Sequence, residues 1–129
     1  MLAVARESRL VVGYRVLDQR NWPAMQELAD DLPPAGRYCS DDLSVYSELL
    51  WPDGSTHVIS QHKDEIYTIE SINADLRTYL GRLKRRSRCF SRCMDALRRA
   101  VRLFIWHYNR RRRAILANPK HRYGLPLLF

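Results

Sequence analysis

The chain has 129 residues, 46% of them hydrophobic, which suits one domain with a real core, and no apolar run approaches the roughly 18–20 residues of a membrane span. The opening MLAVARESRL carries Arg6 and Glu7 too early for a secretory leader. The net charge of +8 is unevenly divided: residues 1–76 hold 13 acidic and 6 basic side chains, residues 77–113 hold 1 acidic and 14 basic.

Ala3–Arg6 and Arg9–Leu17 read as two strands around a turn at Glu7-Ser8, because Leu10, Val11, Val12, Tyr14 and Val16 favour strand. Gly13 inside the second strand implies a bulge or a close backbone approach. Asn21 is placed to cap a helix over Trp22–Asp31, with Pro23 in its first turn and Met25, Leu28 and Ala29 on its apolar face. Pro33, Pro34 and Gly36 end that helix. Arg37–Ser40 is a short strand running into Asp41-Asp42, and Asp42 is placed to cap a short helix, Leu43–Leu50, that stops at Trp51-Pro52-Asp53-Gly54. Thr56–Ser60 is a further strand, and Gln61–Glu65 a polar loop.

A helix follows in which Ile69, Ile72, Leu76, Leu80 and Leu83 form one apolar stripe. Glu70, Asn73 and Arg77 lie together on the adjacent stripe. Gly81 and the basic run Arg82, Lys84, Arg85, Arg86 and Arg88 mark a break. A second helix, Phe90–Arg113, carries Phe90, Met94, Leu97, Val101, Phe104, Ile105 and Tyr108 on one face and arginines on the other. The expected layout is one domain over 1–118, with 77–113 as its basic helical half, and an irregular tail over 119–129. Cys39, Cys89 and Cys93 read as free thiols of a reducing compartment that pack as small hydrophobes. His57, Tyr46, Trp51, Trp106 and Tyr108 read as packing residues.

The order β-β-α-β-α-β-α-α predicts an open α/β sheet, in which ligands collect at the carboxyl ends of the strands. Asp41 ends a strand and Glu70 lies on a later helix. A pair of this kind can hold Mg²⁺, which keeps several waters and takes one or two protein carboxylates plus phosphate oxygens. The plainer alternatives are that the strand-end acids cap the next helix and that Glu70 is a solvated face residue. Fourteen cations against one anion exceed what solubility requires, and they favour a phosphate backbone as partner. The apolar face of the second helix is needed for a core, which argues against a lipid surface.

The stretch I-E-x-x-N-x-x-L-R-x-x-L-x-R-L-x-R-x-S-x-x-F-S at Ile69–Ser91, with HVIS at 57–60, S-D-x-x-x-x-Y at 40–46 and RESRLVVG at 6–13, resembles the C-terminal part of transposases of the insertion-sequence-one family. These are DDE enzymes with an RNase H-like catalytic fold. The resemblance implies Mg²⁺-dependent (or Mn²⁺-dependent) cleavage at element ends followed by strand transfer into target DNA. It matches Asp41 to the second catalytic aspartate and Glu70 to the catalytic glutamate, both metal ligands. It gives Asn73, Arg77, Arg82, Lys84, Arg85, Arg86 and Arg88 the task of positioning DNA through its backbone. The family's first catalytic aspartate lies on a first strand, and this chain starts at what reads as the second; Asp18 is in the wrong place to substitute. The expectation is therefore an RNase H-like domain lacking its first strand, with a C-terminal helical pair, weak metal binding and little activity alone. It would act in the cytoplasm on nucleoid DNA, as a homo-oligomer or mixed with a full-length copy. The competing readings are a catalytically inactive remnant that binds DNA or interferes with active transposase, and a basic protein with nonspecific contacts.

Overall fold

Strands of three and four residues cannot hold a sheet by themselves, so the arrangement of the helices decides this fold. The computed structural model describes residues 1–17, 21–60, 63–80 and 93–119. Eight elements follow in order: β1 (Leu2–Val4), β2 (Val11–Tyr14), α1 (Trp22–Asp30), β3 (Arg37–Ser40), α2 (Ser44–Ser47), β4 (Thr56–Ile59), α3 (Lys63–Tyr79) and α4 (Met94–Ala117). The mixed α/β class and the element order agree with the sequence. The pairing differs from one open sheet: β1 and β2 form an antiparallel pair, β3 and β4 a parallel pair, and these are separate two-stranded sheets among the described residues.

In the hairpin Leu2 faces Tyr14, Ala3 faces Gly13 and Val4 faces Val11, so Val12 is an extra residue on β2. This bulge stands beside the glycine rather than on it. Gly13 itself answers a close approach: a Cβ there would lie 2.9 Å from Leu32 Cδ2 and 3.0 Å from Leu28 Cδ1. The hairpin is shorter than its sequence implies, because Arg9 turns the chain with a φ of 58°, a conformation few residues with a side chain adopt.

Asn21 caps α1 as expected, its Oδ1 accepting from Ala24 N at 3.1 Å. Met25, Leu28 and Ala29 are buried. Gln26, buried with them, uses its amide as a template for a loop: Nε2 donates to Leu50 O at 2.8 Å and Oε1 accepts from Leu50 N at 2.9 Å. The helix expected over Leu43–Leu50 shrinks to one turn, because Leu49 is drawn into the α1 core and Leu50 is held by Gln26. The polar stretch before Glu70 is helical from Lys63 onward, which shortens the expected loop.

The larger core joins three elements: Val11 of β2, Ile72 and Leu76 of α3, and Leu97, Val101, Phe104 and Ile105 of α4, with Leu80, Met94 and Tyr108 packed against it. Of the two apolar stripes read from sequence, the part from Ile72 to Leu80 and the part from Met94 to Tyr108 face it, while Ile69 is half-buried outside it. Leu83, Cys89, Phe90 and Asp18 lie outside the described residues, as do Arg82–Arg88 and most of the tail. Cys39 is half-buried and Cys93 exposed, and neither is in a disulfide; Cys93 thus departs from the expected buried cysteine, because it stands at the N-cap of α4.

Three polar residues reach from α4 to the hairpin. Asn109 Oδ1 accepts from Val11 N at 2.9 Å and its Nδ2 donates to Val11 O at 2.8 Å. Tyr108 Oη donates to Arg9 O and Arg112 Nε to Ser8 O, each at 2.8 Å. The Asn109 amide stands where a neighbouring strand's peptide would be, satisfying both backbone groups on the outer edge of β2. Burial pushes the Tyr108 hydroxyl above its ordinary pKa of 10.0, against the pull of Arg112 and Arg9. Asn109→Ala leaves a partly buried donor and acceptor unpaired, a loss of about 1–3 kcal/mol. Asn109→Asp keeps the acceptor but loses the donor, so urea denaturation should show both variants destabilised, with wild-type stability in either contradicting this role.

Candidate active site

Asp41 directly follows β3. The parallel ladder puts Tyr38 opposite His57 and Ser40 opposite Ile59, and Ser60 N donating to Ser40 O at 2.8 Å extends it by one step. Alternation along the strands sets Tyr38, Ser40, His57 and Ile59 on one face and Cys39 and Val58 on the other. Trp51 covers the first face. Its ring stacks on Tyr38 with centroids 5.1 Å apart and on His57 at 4.5 Å. Trp51 Nε1 donates to Tyr46 O at 3.3 Å and Tyr38 Oη to Pro33 O at 2.7 Å, which fixes the stack from both ends.

Within this frame Ser40 is buried, and its Oγ lies 2.8 Å from His57 Nε2 and 3.0 Å from Asp41 O. A hydroxyl has one proton to give. If it goes to the Asp41 carbonyl, His57 must donate from Nε2, so the two contacts together select the Nε2–H tautomer. The pair pins the backbone where the strand ends and Asp41 begins. Burial lowers the His57 pKa below its ordinary 6.5, which keeps the ring neutral at pH 7.

The Asp41 side chain is exposed, and its Oδ1 accepts weakly from Leu43 N at 3.4 Å. Asp41 therefore leads the chain into α2; the expected cap, Asp42, does not, and Leu43 stands at the N-cap without a side-chain bond. Most of the Asp41 carboxylate's lone pairs remain open toward solvent.

Glu70, Asn73 and Arg77 are carried by α3, whose stripe from Ile72 to Leu76 is anchored in the core. Glu70 and Arg77 are exposed and Asn73 half-buried. No ion pair ties Glu70 to Arg77 among the described residues. α3 packs against β3, the strand that ends at Asp41, and also against β1. The described residues contain no group of three or more His, Cys, Asp or Glu side chains placed to hold a metal. Asp41 and Glu70 are exposed carboxylates on elements that pack together; a hard cation accepts oxygen ligands of this kind and fills its remaining positions with water and phosphate. His57 Nε2 is engaged by Ser40, and its ring is stacked on Trp51.

Sequence reasoning placed Tyr46 and Trp51 in packing roles, and both pack against the α1 core. It missed that Trp51 bridges Tyr38 and His57, because that depends on the β3–β4 register. The Ser40–His57 bond was also missed, although S-D at 40–41 and HVIS at 57–60 both belong to the motif.

Because the folded protein favours neutral His57, its contribution to stability is complete above pH 6.5. It declines as pH falls below 6.5 toward the lowered folded value. A melting series from about pH 7 to 5 should show this decline, and His57→Gln should flatten that part of the curve; an unchanged curve in the variant would contradict it.

A family model described as IS1 transposase matches residues 2–112. Neither the curated proteins nor the solved structures compared with the chain give a match.

Proposed function

Because the chain belongs to the IS1 transposase family, and thereby to the machinery of insertion-sequence transposition, we propose that Asp41 and Glu70 are two metal-holding carboxylates of a DDE strand-transfer site. The observation that carries this is the packing of α3 against β3, which joins the helix bearing Glu70 to the strand ending at Asp41. A divalent ion at such a site activates the attacking oxygen and stabilises the leaving oxygen of an in-line phosphoryl transfer. Asp41 and Glu70 would hold it through exposed oxygens, while Ser40 and His57 hold the Asp41 backbone in place. Asn73 and Arg77 orient the DNA backbone beside the carboxylates, and Arg82, Lys84, Arg85, Arg86 and Arg88 extend the phosphate track. The reaction is cleavage at the element ends followed by strand transfer into target DNA, in the cytoplasm.

The family resemblance also implies a first strand with a third carboxylate. Its place in this reading is between β1 and β3. Each pairs along one edge only among the described residues, and α3 packs against both. A strand added there would join the two sheets into a single RNase H-like sheet and bring its aspartate to the end of β3. The strand would come from an upstream segment or from a partner copy in a homo- or mixed oligomer. A chain deprived of that strand would hold two carboxylates of three and be left with DNA binding, with interference in active transposase as the second reading.

Mn²⁺ or Mg²⁺ binding only the folded chain raises its melting temperature by mass action, by a few degrees when the ion is at roughly ten times its Kd. Thermal melts should show that rise in wild type and lose it in Asp41→Asn and in Glu70→Gln. A rise that survives both substitutions would sink the assignment.

A further inference from the structure

The outer face of α4 has a composition that the core does not explain. At 100° per residue, Arg99, Arg102, Leu103, Trp106, Arg110 and Arg113 fall within about 100° of arc, opposite Leu97, Val101, Phe104 and Ile105. Leu103 is 55% exposed and Trp106 54% exposed, a costly position for the two largest apolar groups on that face. The Arg110 guanidinium lies over the Trp106 ring, 5.3 Å from its centroid. Arg99, Arg102 and Arg113 have no ion-pair partner among the described residues. Asp95, the one acid on the helix, is bonded to Arg98 at 3.1 Å.

We propose that this face is a nucleic-acid surface that takes a strand with unpaired bases: its arginines hold successive phosphates and Trp106 stacks on a base. The stripe from Arg99 to Arg113 spans about 21 Å of helix, long enough to track several phosphates of a single strand. Arg110 orients the indole by cation–π contact, and Leu103, one turn before it, broadens the apolar platform. A second copy is the poorer occupant. Two-fold packing of this face on itself would set four arginines against four, with the helix's one acid, Asp95, already bonded to Arg98. The inference does not depend on the metal site or on the phosphate track at 77–88.

The test uses the whole purified chain and a labelled oligothymidylate strand, with a duplex of mixed sequence as the second probe, each titrated across a salt series. The variant Arg99→Gln/Arg102→Gln/Arg110→Gln/Arg113→Gln should lower the log–log salt slope by about 3, from about 0.7 per lost phosphate contact on a single strand. Trp106→Ala should weaken single-strand binding about tenfold at unchanged slope, and leave duplex binding within about twofold because paired bases offer no free face. A variant neutralised at Arg82, Lys84, Arg85, Arg86 and Arg88 should still lose affinity when Trp106→Ala is added, which separates this surface from the other track. An unchanged slope in the quadruple variant, or unchanged single-strand affinity in Trp106→Ala, overturns the proposal. So does a finding by sedimentation that these substitutions abolish a dimer while leaving DNA binding intact.

Discussion

Two sheets of two short strands depend on what packs against them, and α3 is the element they share. It lies against β1 and against β3, while its Ile72 and Leu76 enter the core built by α4. Burying a large aliphatic side chain is worth about 1.5–3 kcal/mol, so the α3–α4 contact outweighs any single strand hydrogen bond in holding the sheets to one body. The helix that organises the packing is also the one that carries Glu70, Asn73 and Arg77. Position in the fold and position in the site are therefore set by the same apolar stripe.

The second support is polar. Asn109 closes the outer edge of β2 by imitating a strand, and Tyr108 and Arg112 hold the hairpin corner at Arg9 and Ser8. That grip accounts for a left-handed residue with a long side chain at the corner, since α4 supplies the bonds that offset its conformational cost. The contact leaves β2 with a covered edge at Val11 while β1, among the described residues, pairs only with β2. A sheet with one guarded edge and one open edge grows in one direction, and here that direction is the one the proposed additional strand requires.

Local signals in the chain were readable where chemistry is local. Arg37–Ser40 appears as the strand its sequence implies, Asn21 caps α1, and both amphipathic helices turn the middle of their expected stripes into the core. The boundaries moved where tertiary contacts outweighed propensity: the α2 segment gave up Leu49 to the α1 core, and Arg9 truncated the hairpin. Pairing was not legible, because nothing in a short strand's composition names its neighbour. Asn109 was equally silent. Asparagine in the middle of a helix is unfavourable and so invites a reason, but only the fold reveals that the reason is a strand edge nearly a hundred residues away in sequence. For the site, the motif brought forward Asp41 and Glu70, and the register showed how the motif's own Ser40 and His57, with Trp51 beside them, fix the end of β3.

The account stands or falls on whether Asp41 and Glu70 act on one ion. Manganese titrations followed by electron paramagnetic resonance, on wild type, Asp41→Asn, Glu70→Gln and the double variant, measure this directly as a double-mutant cycle. A shared site predicts that either single substitution removes most of the affinity and that the second adds little further. Independent, additive losses would place the two carboxylates at separate sites and contradict the account.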